Sequence, residues 1–141
     1  MKDIIDLIAR ILVAFIFLFE AYDGIAHWET TQRTMTEYGV TWNQDLLLAL
    51  SIGVLIIGGT LVLIGYRSGF GVILVLLYWV PATFIVHDFW TIDDDPVERR
   101  IQSILFMKNL AIIGGLLTIW VNGSGRYSIR RLFTTTRVPG T

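Results

Sequence analysis

Phe106-Met107-Lys108-Asn109-Leu110-Ala111-Ile112-Ile113-Gly114-Gly115-Leu116-Leu117 lies inside an apolar run, Ile101 to Val121, long enough to cross a bilayer. The run carries a lysine and an asparagine one third of the way in. On a helix, Lys108, Ala111, Gly115 and Thr118 share a face, with Gly114 beside them. A lysine facing lipid at mid-helix costs ~2.5–3.5 kcal/mol on insertion scales. Small residues allow close backbone approach between helices. This face is therefore expected to point into a bundle and bring Lys108 with it.

Composition agrees with a membrane setting. The chain has 141 residues, 54% of them hydrophobic and only 16% charged, against ~25% charged in a soluble domain. Three further apolar runs account for the deficit, giving spans at about 4–22, 46–66, 69–86 and 101–121, each near the ~20 residues a crossing needs. The first run continues beyond a typical signal-peptide core, and no small-x-small cleavage site follows Phe19, so it is expected to remain as a span. The absence of cysteine excludes disulfides, iron–sulfur ligation and covalent c-type haem attachment. The fold expected is an all-α integral membrane four-helix bundle in one domain, with a short surface helix or loop between spans one and two and a basic tail over 122–141.

Along the chain, Asp6 and Arg10 are spaced as an exposed helical ion pair. Glu20, Asp23, Gly24 and His27 then share one face, either wetted by headgroups or turned to the bundle interior. Thr31 to Tyr38 is a short helical candidate with Thr30 or Thr31 as its cap and Gly39 past its end; it should lie across the bundle as a lid. Gly58, Gly59 and Gly65, like Gly114 and Gly115, mark helix-packing faces. Pro81 is expected to kink the third span. Tyr78 and Trp79 are too deep for an interfacial belt. Gly123-Ser124-Gly125 has no preceding strand, so nucleotide binding is rejected.

Seven basic residues (Lys2, Arg10, Arg67, Arg126, Arg130, Arg131 and Arg137) fall on one side of the membrane and three (Arg33, Arg99 and Arg100) on the other. Both termini are therefore expected in the cytoplasm. The tail reads as an orientation signal able to meet anionic lipid, with no nucleic-acid partner. At ~1.5 Å rise per residue, Glu20, Asp23, His27, His87, Lys108 and Asn109 converge in the outer leaflet, where Glu20 or Asp23 is the expected counter-ion of Lys108. Three uses of this cluster stay open. One is a structural ion pair. A second is a quinone pocket, in which Lys108, Asn109 or His87 bonds a carbonyl between walls of Tyr78, Trp79 and Trp90. The third is a haem or metal on His27 and His87, which lack ligand spacing, so no metal site is assigned.

The same stretch, Phe106 to Leu117, resembles the Phe-x-Lys-Asn-Leu-x-x-x-Gly-Gly-Leu-Leu pattern of the DoxX family of small four-helix membrane proteins. His87-Asp88-Phe89-Trp90, the segment Gly58 to Arg67 and Gly123-Ser124-Gly125-Arg126-Tyr127-Ser128 resemble further parts of that family. Glu20-Ala21-Tyr22-Asp23-Gly24 departs from it by lacking a lysine after the first helix, and Ile56-Ile57 by lacking an acid before the paired glycines. The resemblance implies a prokaryotic inner-membrane subunit or accessory protein of a quinone-linked respiratory complex, more a non-catalytic subunit than an enzyme. It implies no intrinsic cofactor beyond a quinone, and its partners would be lipids, other subunits or further copies of the chain. A quinone-linked oxidoreductase with its own site, and a stand-alone structural or small-molecule transport protein, are the alternatives.

Overall fold

The computed structural model describes residues 1–123 and 127–128. It is all helical among them: α1 Lys2–Ala26, α2 Trp28–Glu37, α3 Gln44–Ile64, α4 Ser68–Val86, a 3-10 turn Phe89–Thr91 and α5 Pro96–Asn122. Four helices are long. Of these α3, α4 with its continuation to Thr91, and α5 are long and apolar enough to cross a membrane. The fourth, α1, carries Asp6, Arg10, Glu20 and Asp23 along its 25 residues. Its outward side is nonetheless an exposed apolar stripe of Leu12, Phe15, Phe19 and Tyr22. Exposed Leu50, Ile57, Phe70, Leu77 and Met107 continue that surface on the other helices. So large an apolar exterior is incompatible with water; the molecule is an all-α bundle built for the bilayer.

Helix ends follow local chemistry. Gly65 (φ 69°) and Arg67 (φ 47°) are both left-handed, and between them they reverse the chain from α3 into α4. The helix α5 begins five residues before the expected Ile101. The Asp95 carboxylate accepts hydrogen bonds from the backbone N–H of Val97 (2.9 Å) and Glu98 (3.1 Å), and Pro96 follows at the first turn. The lid helix also starts earlier than Thr31. It pivots directly out of α1 at His27, so Thr31 is no cap; its hydroxyl donates to the His27 carbonyl at 3.0 Å. Gly39 is left-handed past the lid's end (φ 78°). Pro81 lies inside an uninterrupted α4.

In the packing, α3 lies between α1 and α4. A Cβ at Gly58 would fall 2.6 Å from Val75 Cγ2 and 3.0 Å from the Gly71 carbonyl of α4, while one at Gly59 would meet Leu18 and Phe17 of α1 at 3.3–3.4 Å. Helix α5 rests chiefly on α4 and only brushes α1, where a Cβ at Gly115 would meet Val13 at 3.6 Å. Its inward ridge is Phe106, Leu116 and Ile119, all buried.

That arrangement corrects two expectations. Lys108 does not point inward: with Ala111, Gly114 and Thr118 it lies on the exposed side of α5, and a Cβ at Gly114 would meet nothing within 4 Å. The large apolar residues of α5 fill its contact with α4, and filling that groove turns the small face out. The second correction concerns Arg10, which is no exposed partner of Asp6. It is fully buried, its Nε donates to Asp6 at 2.9 Å, and its guanidinium reaches the carbonyls of Leu63 (3.3 Å) and Tyr127 (2.7 Å). It therefore ties α1 to the end of α3 and to the segment after α5.

Arg10→Met should lower the unfolding midpoint in detergent strongly, by roughly 3 kcal/mol or more in stability, because Asp6 and two carbonyls lose a buried donor. A midpoint within a degree of wild type would remove Arg10 from that role. Lys108→Leu, by contrast, should leave thermal stability unchanged and ease membrane insertion by about 2.5–3.5 kcal/mol. A large loss of stability in this variant would show that its amine is held by the fold.

Candidate ligand-binding site

The end of the bundle that carries α2 is hollow. A chamber of ≈ 510 Å³ is walled by Glu20, Asp23, Gly24 and His27 of α1, by Thr30, Thr31 and Thr34 of α2, by Leu48, Ser51, Ile52 and Leu55 of α3, and by Tyr78 and Val86 of α4. A second chamber of ≈ 280 Å³ adjoins it between α2, α3 and α4, lined by Met35, Tyr38, Val40, Leu47, Leu77, Pro81, Ala82 and Ile85. Thr31, Thr34, Leu48, Ser51, Tyr78 and Val86 belong to both walls. The first space holds the two carboxylates and is the more polar of the two, while the second is almost wholly apolar. The larger falls within the ~300–1,000 Å³ typical of small-molecule sites, and the smaller lies just below that range.

Local chemistry places each group. Glu20 and Asp23 are three apart on α1 and project from one face. One turn below Glu20, Phe17 meets Trp79 of α4 edge to face, with centroids 5.0 Å apart, closing the space between α1 and α4. Asp23 is hydrogen-bonded to His27 Nδ1 at 3.0 Å; Glu20 makes no hydrogen bond among the described residues. The lid is anchored to α3, where the Asp45 carboxylate accepts from Trp28 Nε1 (3.2 Å) and Gln32 Nε2 (2.7 Å). Gln44 Nε2 donates to Thr36 Oγ1 and to the Val40 carbonyl, each at 2.7 Å. Burial raises the Tyr38 phenol above its ordinary pKa, helped by the acids Asp88, Glu98 and Glu37. Tyr38 thus stays a neutral donor at physiological pH.

The cluster expected from sequence separates into parts. Glu20, Asp23, His27 and Tyr78 line the polar chamber. His87 is not in its walls: its Nδ1 lies 2.7 Å from Gln102 Oε1 of α5, although it stays near enough to Glu20 to act on it electrostatically. Asn109 faces inward elsewhere and donates to Thr83 Oγ1 at 3.2 Å. Trp79 is buried in the core, and its indole N–H has no partner among the described residues. Lys108 lies on the far side of α5 beside Phe89, Ser103 and Met107, so neither Glu20 nor Asp23 is its counter-ion. Among the described residues no group of three His, Asp or Glu side chains is placed to hold a metal. Ser124 and Gly125 of the closing Gly-x-Gly segment and the tail arginines lie outside the described residues. Sequence reasoning missed the apolar chamber, although the threonines of α2 and Ser51 of α3 are the polar signals on its rim.

Comparison with known proteins gives the chain its relatives. It is 30% identical over 133 residues to the inner membrane protein YqjF of Escherichia coli, covering 94% of each chain. It is 25% identical to the E. coli inner membrane protein YphA over 92% of this chain and 91% of that one. A Surfeit locus protein 4 homolog of Schizosaccharomyces pombe is 28% identical over 88% of this chain, which spans 36% of that longer protein. No solved structure matches. These findings overturn the DoxX resemblance. A lysine-asparagine pair followed by paired glycines is a short pattern in an apolar helix, whereas the family match extends through all five helices. The matching model is that of the SURF4 family, over residues 1–132, and the chain belongs to that family.

Proposed function

We propose that this protein is a non-catalytic binding protein of the prokaryotic inner membrane, whose hollow end takes up an amphipathic molecule from the adjacent leaflet. A polar and an apolar chamber sharing a wall of Thr31, Ser51 and Tyr78 beneath a tethered lid is the observation that carries this reading. Such a pair of spaces solvates the two halves of an amphipath separately. The location is taken from the two E. coli relatives, both called inner membrane proteins.

The orientation proposed has four crossings and both termini in the cytoplasm. Lys2, Arg10 and Arg67 gather at one end, where Arg10 reaches the carbonyl of Leu63. The chambers, Asp88 and Glu98 lie at the other end, which would face outward. The accessory role in a quinone-linked complex is a second reading. Its remaining support is the apolar chamber, which suits a ring and chain; Lys108 and Asn109 play no part in it.

Because the chain has no cysteine, single introduced thiols report topology cleanly. In intact cells an impermeant maleimide should label Glu37→Cys and leave Arg67→Cys unlabelled; the reverse pattern would invert the proposed orientation. For the binding role, protein extracted in mild detergent should retain a stoichiometric lipid-soluble molecule by native mass spectrometry. Ala82→Trp, which fills the apolar chamber, should lose it while keeping the wild-type melting temperature. Equal retention by both proteins would place the molecule on the outer surface and remove the binding role, and a retained quinone would favour the second reading.

A further inference from the structure

We propose that the molecule held in the two chambers is a primary amine on an apolar tail, with its ammonium in the polar chamber between Glu20 and Asp23 and its tail in the apolar one. The inference rests on the chambers being a binding site and names the chemistry of what they bind. Two carboxylates face one space of ≈ 510 Å³, and no lysine or arginine lies in its walls. Their titratable cationic neighbours are two imidazoles: His27, which engages one oxygen of Asp23 and is itself largely exposed, and His87, which stands outside the walls with Nδ1 on Gln102 but near enough to Glu20 to act on it electrostatically. Glu20 is left without a hydrogen-bond partner among the described residues, in a chamber whose remaining walls are threonine, serine, tyrosine and aliphatic side chains. A cation entering here meets two carboxylates whose cationic neighbours are imidazoles, with no lysine or arginine in the lining to displace.

The kind of cation follows from the donor count. An ammonium offers three N–H donors. Glu20, Asp23 and the Tyr78 hydroxyl are three acceptors on its border. A quaternary ammonium has no donors and is held by aromatic faces; apart from Tyr78 and the His27 imidazole, this chamber has none. The tail has one place to go. The wall formed by Ser51, Tyr78 and Val86 leads directly into the apolar space, lined by Leu47, Leu77, Ala82 and Ile85. A free long-chain amine and an aminoethyl phospholipid headgroup present the same ammonium.

Native mass spectrometry of the full chain in detergent, titrated with dodecylamine, dodecanol, dodecyltrimethylammonium or phosphatidylethanolamine, tests the assignment. Wild-type protein should bind dodecylamine or phosphatidylethanolamine at least roughly tenfold more tightly than dodecanol or the quaternary amine. Retention of dodecylamine alone would identify a free amine, and retention of phosphatidylethanolamine a lipid headgroup. Glu20→Gln and Asp23→Asn preserve side-chain size, and each should erase that preference. Equal binding of dodecanol and dodecylamine, or a preference that survives both substitutions, would overturn the amine assignment and leave the binding site standing. If no probe binds wild-type protein more tightly than Ala82→Trp, the site itself falls.

Discussion

The paired glycines of α3 govern this bundle. With only hydrogen at Gly58 and Gly59, α3 approaches α4 on one side and α1 on the other until backbone and side chain touch. Dispersion between closely approached helices is the main attraction available in lipid, where no hydrophobic drive operates. Because Gly58 and Gly59 are adjacent, the two contacts lie at one height, and α3 becomes the shared wall of α1 and α4. At that height Leu55 and Val62 are buried. Toward the α2 end the same helix presents Ser51 and Leu48 to open space, so the tight level and the hollow level are consecutive parts of one helix.

Arg10 fixes the closed end, and its burial explains why the hollow lies at the other. Its guanidinium satisfies carbonyls at the last turn of α3 and after α5, and its Nε is neutralised by Asp6. A buried arginine is tolerable when its charge is paired and its donors are used. Gly65 belongs to the same device, since a Cβ there would collide with the Arg10 guanidinium and with Ser128. Among the described residues the opposite end shows no such tie between α1 and α4. The Phe17–Trp79 contact closes it from below, and α2, held by Asp45, covers it from above.

How much of this was legible in the sequence depended on whether a residue's environment is local. Apolar runs and turn glycines are local signals, and the all-helical membrane bundle could be read from them. Facing was harder. Lys108 looked inward because its neighbours are small, yet a small face turns inward only if another helix comes to meet it, and α5 is satisfied on its large-residue side by α4. Arg10 looked like half of an exposed pair because Asp6 is the partner visible at helical spacing. Its other acceptors lie 53 and 117 residues away, beyond any periodicity argument. The acids of the chamber could be named, while the apolar room beside them could not, since it is made from three separate stretches with no shared pattern.

The polar groups of α1 become intelligible on this view. Counted along the sequence, Asp6, Arg10, Glu20 and Asp23 are too many for a helix in hydrocarbon. Arranged around the helix, Arg10 is enclosed at the tied end with Asp6, Glu20 and Asp23 border the hollow, and the opposite side is the stripe Leu12, Phe15, Phe19 and Tyr22. Whether a helix suits the bilayer depends on what faces lipid, not on its average composition. One pair of charges on α1 serves the fold. The other pair borders the hollow, where Asp23 is paired with His27 and Glu20 is exposed, so neither acid is sealed against hydrocarbon.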